Sequence, residues 1–116
     1  MRTLTITRER ALAAFSMKYH VFAGGSREEF VSTLERIPLE QRDNIQPDFS
    51  LKNGETVRFK LEDTATATFF AALFTQTRNI VTNEITVLPG TEDVSYTIKT
   101  LYDGHNKFDL EIVPTE

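Results

Sequence analysis

Runs of alternating apolar and polar residues fill the second half of the chain, and turn signals separate them. In 56–61 the apolar residues Val57, Phe59 and Leu61 alternate with polar ones, and 107–112 repeats the pattern. The turn signals are Asn53-Gly54, Pro89-Gly90 and Asp103-Gly104. Because successive side chains of a strand point to opposite faces, this pattern predicts half-buried antiparallel strands joined by turns.

The first part of the chain also favours strands. A short strand is predicted around Leu4 and Ile6. A longer one is predicted from Ala13 to Phe22, because apolar residues recur at every second position up to Val21. Alanine and leucine also allow a helix over 9–17, but the unbroken alternation favours the strand.

The hydrophobic period then changes to that of a helix. Phe30, Val31, Leu34 and Ile37 fall at helical spacing, and Ser26 with a glutamate three residues later fits a capping box. Pro38 ends this predicted helix, which covers 26–37. The following polar stretch, 39–48, predicts a loop with at most one irregular turn.

The segment 64–74 is apolar on both faces of its predicted strand, so both faces need a cover. One explanation, which we favour, is that the helix lies across the second face. The other is a subunit or partner interface built on Phe69, Phe70 and Phe74. Further strands over 80–88, 93–102 and 106–113 bring the total to about eight.

These elements predict a mainly β fold: an antiparallel β-sandwich, immunoglobulin-like in the broad sense, with a helical insertion at 26–37. A partly closed barrel remains an alternative. A chain of 116 residues is long enough for one core, so we expect a single domain over 1–116.

Several segments resemble small bacterial β-sandwich domains of the PEGA-like, immunoglobulin-like kind. The resemblance is carried by the opening strand 4–8, the strand residues 17–21, the turn and strand 51–59, and the strand 83–87. It excludes the helix at 26–37, which looks like an insertion in place of a short turn. The resemblance implies a binding or accessory module and transfers no catalytic residue.

Composition narrows the class of function. The net charge of −4 argues against a nucleic-acid partner, and the absence of cysteine excludes disulfides and thiolate metal sites. The N-terminus lacks the apolar run of a signal peptide, and no stretch approaches the ~20 apolar residues of a membrane span. We therefore expect a soluble, cytoplasmic protein.

Candidate chemistry is sparse. His20 and His105 form no ligand spacing, and we interpret them as a strand residue and a turn residue. The sequence therefore predicts no catalytic residue, no metal site and no cofactor.

Basic residues suggest a second kind of surface. They are Arg2, Arg8, Arg10, Lys18, Arg58 and Lys60. If their strands share a sheet, they form a positive stripe for an acidic partner peptide or a headgroup. We favour the simpler explanation, that outer strands carry such residues for solubility and to discourage edge pairing.

Together these observations predict a non-enzymatic protein-binding or assembly module, whose contact surface is the Phe69-Phe70 strand or an exposed sheet edge. A protein partner or a homo-oligomer fits this role. The alternative is a sandwich that binds a small apolar or carbohydrate ligand.

Overall fold

The computed structural model describes residues 1–102 and 107–116, which are mainly β. The predicted turn at Asp103-Gly104, with His105, lies outside the described residues. The strands are β1 (Arg2–Arg8), β2 (Tyr19–Ala23), β3 (Phe49–Leu51), β4 (Thr56–Leu61), β5 (Ala67–Phe74), β6 (Asn79–Val81), β7 (Ile85–Val87), β8 (Val94–Tyr102) and β9 (Phe108–Pro114). The helix α1 spans Arg27–Arg36, and a 3₁₀ helix follows at Leu39–Asn44.

The strands form two sheets that pack face to face, which confirms the predicted β-sandwich. The front sheet has the strand order β4-β1-β8-β9. The back sheet has the order β3-β2-β5-β6, and β7 pairs with β5 beyond the end of β6. All pairs are antiparallel except β1 with β8, which run parallel.

The core lies between the two sheets and draws on nearly every strand. Its buried members are Leu4, Ile6, Tyr19, Val21, Leu51, Phe69, Ala71, Leu73, Ile80, Val87, Ile98, Leu110 and Ile112. Strands that contribute more than one of these residues, β1, β2, β5 and β9, contribute alternate ones, as the period-two pattern predicts. The long front strands therefore bury one face and leave the other to solvent.

The helix α1 covers the outer face of the back sheet. Its Phe30 ring lies 4.5 Å from the ring of Phe22 and 5.0 Å from that of Phe70, between centroids, and Leu34 is buried. The Ser26 hydroxyl accepts a hydrogen bond of 3.3 Å from the Glu29 amide, as the capping box predicts. The predicted helix and its apolar face are both confirmed.

The inward row of β1 has a buried arginine at each end. Arg8 is fully buried, and its guanidinium donates to the carbonyls of Ala14 at 2.9 Å, Leu51 at 2.8 Å and Met17. Its central carbon lies 3.4 Å from the centre of the Tyr19 ring, a cation–π contact. One side chain thus ties β1 of the front sheet to the back sheet and to the segment between β1 and β2.

Arg2 does the same at the opposite end of β1. It is 5% exposed, and its guanidinium donates to the carbonyls of Leu88 and Glu92. A Cβ at Gly90 would lie only 3.1 Å from a nitrogen of this guanidinium. The Pro89-Gly90 turn therefore folds closely around Arg2, and a larger residue at position 90 would have to displace it.

The long strand predicted from Ala13 to Phe22 is wrong in its first half. The chain turns at Ala14, whose φ is 54°, and the Met17 amide donates to the Ala14 carbonyl at 3.0 Å. Regular pairing starts only at Tyr19. The physical reason is that Ala14 and Met17 turn their carbonyls towards Arg8 while the chain crosses between the sheets.

The single strand predicted over 80–88 is two strands, β6 and β7. Between them the Thr82 hydroxyl accepts the Ala71 amide at 2.9 Å, so a side chain replaces a main-chain group in the ladder. The next residue, Asn83, turns its amide group to Ile112 of the front sheet. The interruption therefore joins the two sheets along the β6 and β9 side.

We expect Arg8→Met to lower the free energy of unfolding by about 3 kcal/mol or more, because it leaves carbonyls without donors in a closed site. Arg8→Lys should also destabilise, since an ammonium lacks the planar fork that reaches several carbonyls. Urea unfolding measures both. The control is Arg58→Met on an exposed residue, with an expected change within about 0.5 kcal/mol. An Arg8→Met effect no larger than the control's would contradict the assignment.

Candidate functional site

The aromatic residues predicted for an interface lie inside the folded chain. Phe69 and Phe70 are each 1% exposed. Phe69 points into the core, where its ring meets that of Tyr96 edge-on at 5.4 Å, and Phe70 lies beneath α1. Their burial supports the explanation that the helix covers the second face of β5.

Phe74 is half-buried at the end of the same strand. The Phe30 ring lies 6.4 Å away, and the Arg42 guanidinium lies 5.6 Å from the centre of the Phe74 ring. Arg42 also donates to the Thr75 carbonyl and to the Asn79 side chain, each at 2.6 Å, which holds the 3₁₀ helix on this hairpin. The chain itself therefore covers these aromatic rings. The interface on β5 stays a prediction.

Arg2 and Arg8 belong neither to a positive stripe, the less favoured alternative, nor to a solvated outer face, because both are buried among backbone carbonyls. Arg58 and Lys60 are exposed on the outward face of β4, as predicted. The positive charge on this side of the front sheet therefore lies at its edge strand, β4.

The hydrogen-bond pattern shows which backbone groups of β4 face outwards. The Arg8 amide donates to the Glu55 carbonyl at 2.8 Å, so the backbone of Glu55, just before β4, faces β1. Antiparallel pairs alternate, so Val57, Phe59 and Leu61 face β1. The amides and carbonyls of the other three, Thr56, Arg58 and Lys60, point away from the sheet.

These outward groups of β4 have no strand beside them within residues 1–102 and 107–116. Such a row of unpaired donors and acceptors is a template for another strand.

The opposite edge of the front sheet, at β9, is covered by side chains at Phe108 and Ile112. The Asn83 side chain donates to the Ile112 carbonyl and accepts from its amide, both at 2.9 Å, as a paired strand would. Arg78 donates to the Phe108 carbonyl at 3.2 Å, and Pro114 has no amide hydrogen to offer. The two edges thus differ in whether side chains cover them.

A pocket of about 310 Å³ opens beside the second half of β4. It exists because β3, the back-sheet strand nearest β4, has only three residues. Phe49 of β3 stacks on Phe59 at 5.4 Å, and beyond this contact the inner side of β4 is uncovered. The pocket is lined mainly by apolar residues: Ala23, Gly24, Phe59, Leu61, Ala65, Thr66, Ala67, Thr68 and Phe69.

Two positive side chains, Arg58 and Lys60, lie on the outward face of β4, and the exposed Glu55 and Glu62 flank the strand at its two ends. Lys60 donates to the Thr3 hydroxyl at 2.8 Å, which holds its ammonium over the outer face of β1. Within the described part of the chain, neither Lys60 nor Arg58 forms an ion pair. We name the outward backbone of Thr56, Arg58 and Lys60, together with the adjacent pocket, the β4 edge site.

A second apolar opening lies where the strand prediction failed. A cleft of about 500 Å³ is lined by Ala11, Leu12, Ala13, Thr100 and Tyr102. Leu12 is 93% exposed and Phe15 is 65% exposed. The sequence did not predict this surface, because its alternating pattern placed Ala13 and Phe15 in a regular strand.

His20 is a half-buried strand residue, as predicted. Its Nδ1 lies 3.0 Å from the Ser50 hydroxyl, and its ring lies 5.5 Å from that of Phe74. Burial, followed by the positive charge of Lys18, lowers the pKa of His20. In the described residues, histidine and carboxylate side chains do not gather in groups of three or more that would hold a metal ion.

Comparison of the chain with protein-family models, curated proteins and solved structures gave no match. Across the described ranges, none of the helices has the length and apolar character needed to cross a bilayer.

The lowered pKa of His20 predicts a pH-dependent stability. Below pH 7 the unfolded chain protonates this histidine near its ordinary pKa of about 6.5, before the folded chain does. The free energy of unfolding should therefore fall as the pH drops, until the lower folded pKa is passed.

Urea unfolding at several pH values between about 7 and 5 should show a shallower slope for His20→Gln than for the natural chain. Equal slopes in the two proteins would contradict this role of His20.

Proposed function

We propose that this chain is a non-enzymatic protein-binding module that accepts an extended segment of a partner as an added strand on β4. The observation that carries the proposal is the row of outward backbone groups at Thr56, Arg58 and Lys60. An added strand would satisfy these groups by main-chain hydrogen bonds. The resemblance to PEGA-like domains, which implies a binding or accessory module, agrees with this role.

The pocket would make this edge selective for particular side chains of the partner strand. In strand addition, main-chain hydrogen bonds supply affinity, and pockets for alternate side chains supply specificity. A strand on β4 would place every second side chain on the inner side, next to Phe59 and Leu61. These inner side chains would lie at the apolar pocket, whose lining includes Phe69.

The covered β9 edge supports the same proposal by contrast. Unprotected edges invite aggregation, and natural sheets cover or block them. This chain blocks β9 with the side chains of Asn83 and Arg78 and leaves the backbone of β4 open. Within the described residues, the front sheet thus has one edge covered by side chains and one open edge, as a strand acceptor would.

A second candidate function is binding of a small apolar ligand in the same pocket. Its volume of about 310 Å³ and its apolar lining favour this use, since ligand pockets start at roughly 300 Å³. The two functions differ in what they need from β4, because a small ligand requires the pocket and not the outward amides.

We expect Arg58→Pro to weaken strand binding without unfolding the protein. Proline removes the outward amide hydrogen of residue 58, which β1 does not use, and edge strands tolerate proline at such positions. The matched control is Arg58→Thr, which also removes the guanidinium but keeps the amide. Thermal unfolding checks that both variants fold.

The measurement is selection of linear peptides from a random displayed library on the natural protein, followed by affinity measurement on both variants. The selected peptides should bind Arg58→Pro at least about tenfold more weakly than Arg58→Thr, a loss of about 1.4 kcal/mol. Equal affinity for the two variants, or no selected peptide, would contradict strand addition. A small ligand would instead raise the melting temperature of both variants alike.

A further inference from the structure

We infer that the partner segment is an extended, anionic one, in which apolar residues alternate with aspartate or glutamate. This inference rests on the proposed function, and it names the chemistry of the partner. It follows from the different character of the two faces that an added strand would meet beside β4.

The inner face of an added strand would lie in apolar surroundings. Beside it are Phe59 and Leu61, both half-buried, and the pocket floor at Ala67 and Phe69. A polar side chain on this face would lose its hydration and would find no hydrogen-bond partner among these four apolar side chains. The inward positions of the partner therefore call for apolar side chains.

The outer face of the same strand would lie next to positive charge. Arg58 and Lys60 project from β4 at successive outward positions, two residues apart. The outward residues of β1 behind them are threonines, Thr3, Thr5 and Thr7. On the opposing strand of a sheet, side chains of opposite charge attract and like charges repel.

This local charge is opposite in sign to the whole chain, whose net charge is −4. The general field of the protein therefore repels an anionic segment, and Arg58 with Lys60 oppose that repulsion between the flanking Glu55 and Glu62. Carboxylates placed opposite these two cations would attract them at short range.

A second copy of this chain is a poor occupant. Pairing of β4 with β4 in the register that sets Arg58 of one copy opposite Lys60 of the other would bring like charges together, which repel. β9 does alternate apolar residues with Asp109 and Glu111. Its outer edge, however, is already taken by Arg78 and Asn83. The structure therefore points to a segment of another protein.

The test uses peptides as long as β4 in which valine alternates with glutamate, lysine or threonine, each with the same soluble serine-glycine ends. Their affinities for the full chain are measured by NMR titration, which follows the amides of Thr56, Arg58 and Lys60. The glutamate peptide should bind about tenfold more tightly than the threonine peptide, since two cross-strand charge pairs are gained. The lysine peptide should bind most weakly.

The double variant Arg58→Glu, Lys60→Glu provides the matched control. It keeps every outward amide of β4, so strand addition remains possible, and the preference should invert in favour of the lysine peptide.

If the three peptides bind β4 with equal affinity, the inference about charge is overturned while strand addition stands. If none of them shifts the β4 amides of either protein, both the inference and the proposed function are overturned.

Discussion

The inward row of β1 reads Arg2, Leu4, Ile6 and Arg8, and the two buried guanidinium groups at its ends constrain the rest of the sandwich. Burial of a charge costs free energy unless hydrogen bonds replace its hydration. Here backbone carbonyls replace water at the terminal nitrogens of both groups, while among the described residues no partner reaches either Nε. Burial also lowers the pKa of Arg8. The loops at both ends of β1 must therefore turn carbonyls inwards, and this requirement fixes their paths.

The two sheets are joined in different ways on the two sides of the sandwich. On the β9 side, the interruption at Thr82 and Asn83 joins the sheets and uses side chains to cover the strand edge. On the β4 side, Arg8 binds the Leu51 carbonyl at the end of β3, and a short turn then leads into β4. This hydrogen bond joins the two sheets on the β4 side. Because β3 is so short, a pocket stays open beside β4, and the outer edge of β4 is open as well.

Much of the fold could be predicted from the sequence, because several segments carry local and periodic signals that agree. Ser26 with the apolar face of Phe30 and Leu34 identified α1, and alternation identified β4 and β9. The segment before Tyr19 shows the same alternation but does not pair. The buried guanidinium of Arg8, which binds the Ala14 and Met17 carbonyls, decides its path, and a residue pattern does not show where carbonyls are required.

The candidate site was predictable only in part. The outward positions of Arg58 and Lys60 follow from the period of β4. Which edge stays open depends on strand order and on side chains from elsewhere, such as Asn83 against Ile112. Burial of Arg2 and Arg8 did have a signal, since both share the inward row with Leu4 and Ile6. That signal was outweighed by the usual preference of arginine for the surface.

Hydrogen exchange of individual backbone amides, followed by NMR on the free chain, tests most directly whether β4 is an open edge. An open edge requires the amides of Arg58 and Lys60 to exchange rapidly, while those of Val57 and Phe59, bonded to β1, exchange slowly. On the other side, the Ile112 amide should be protected by Asn83. Slow exchange at Arg58 and Lys60, equal to that of Val57 and Phe59, would mean that the edge is already covered and would contradict the proposed strand acceptor.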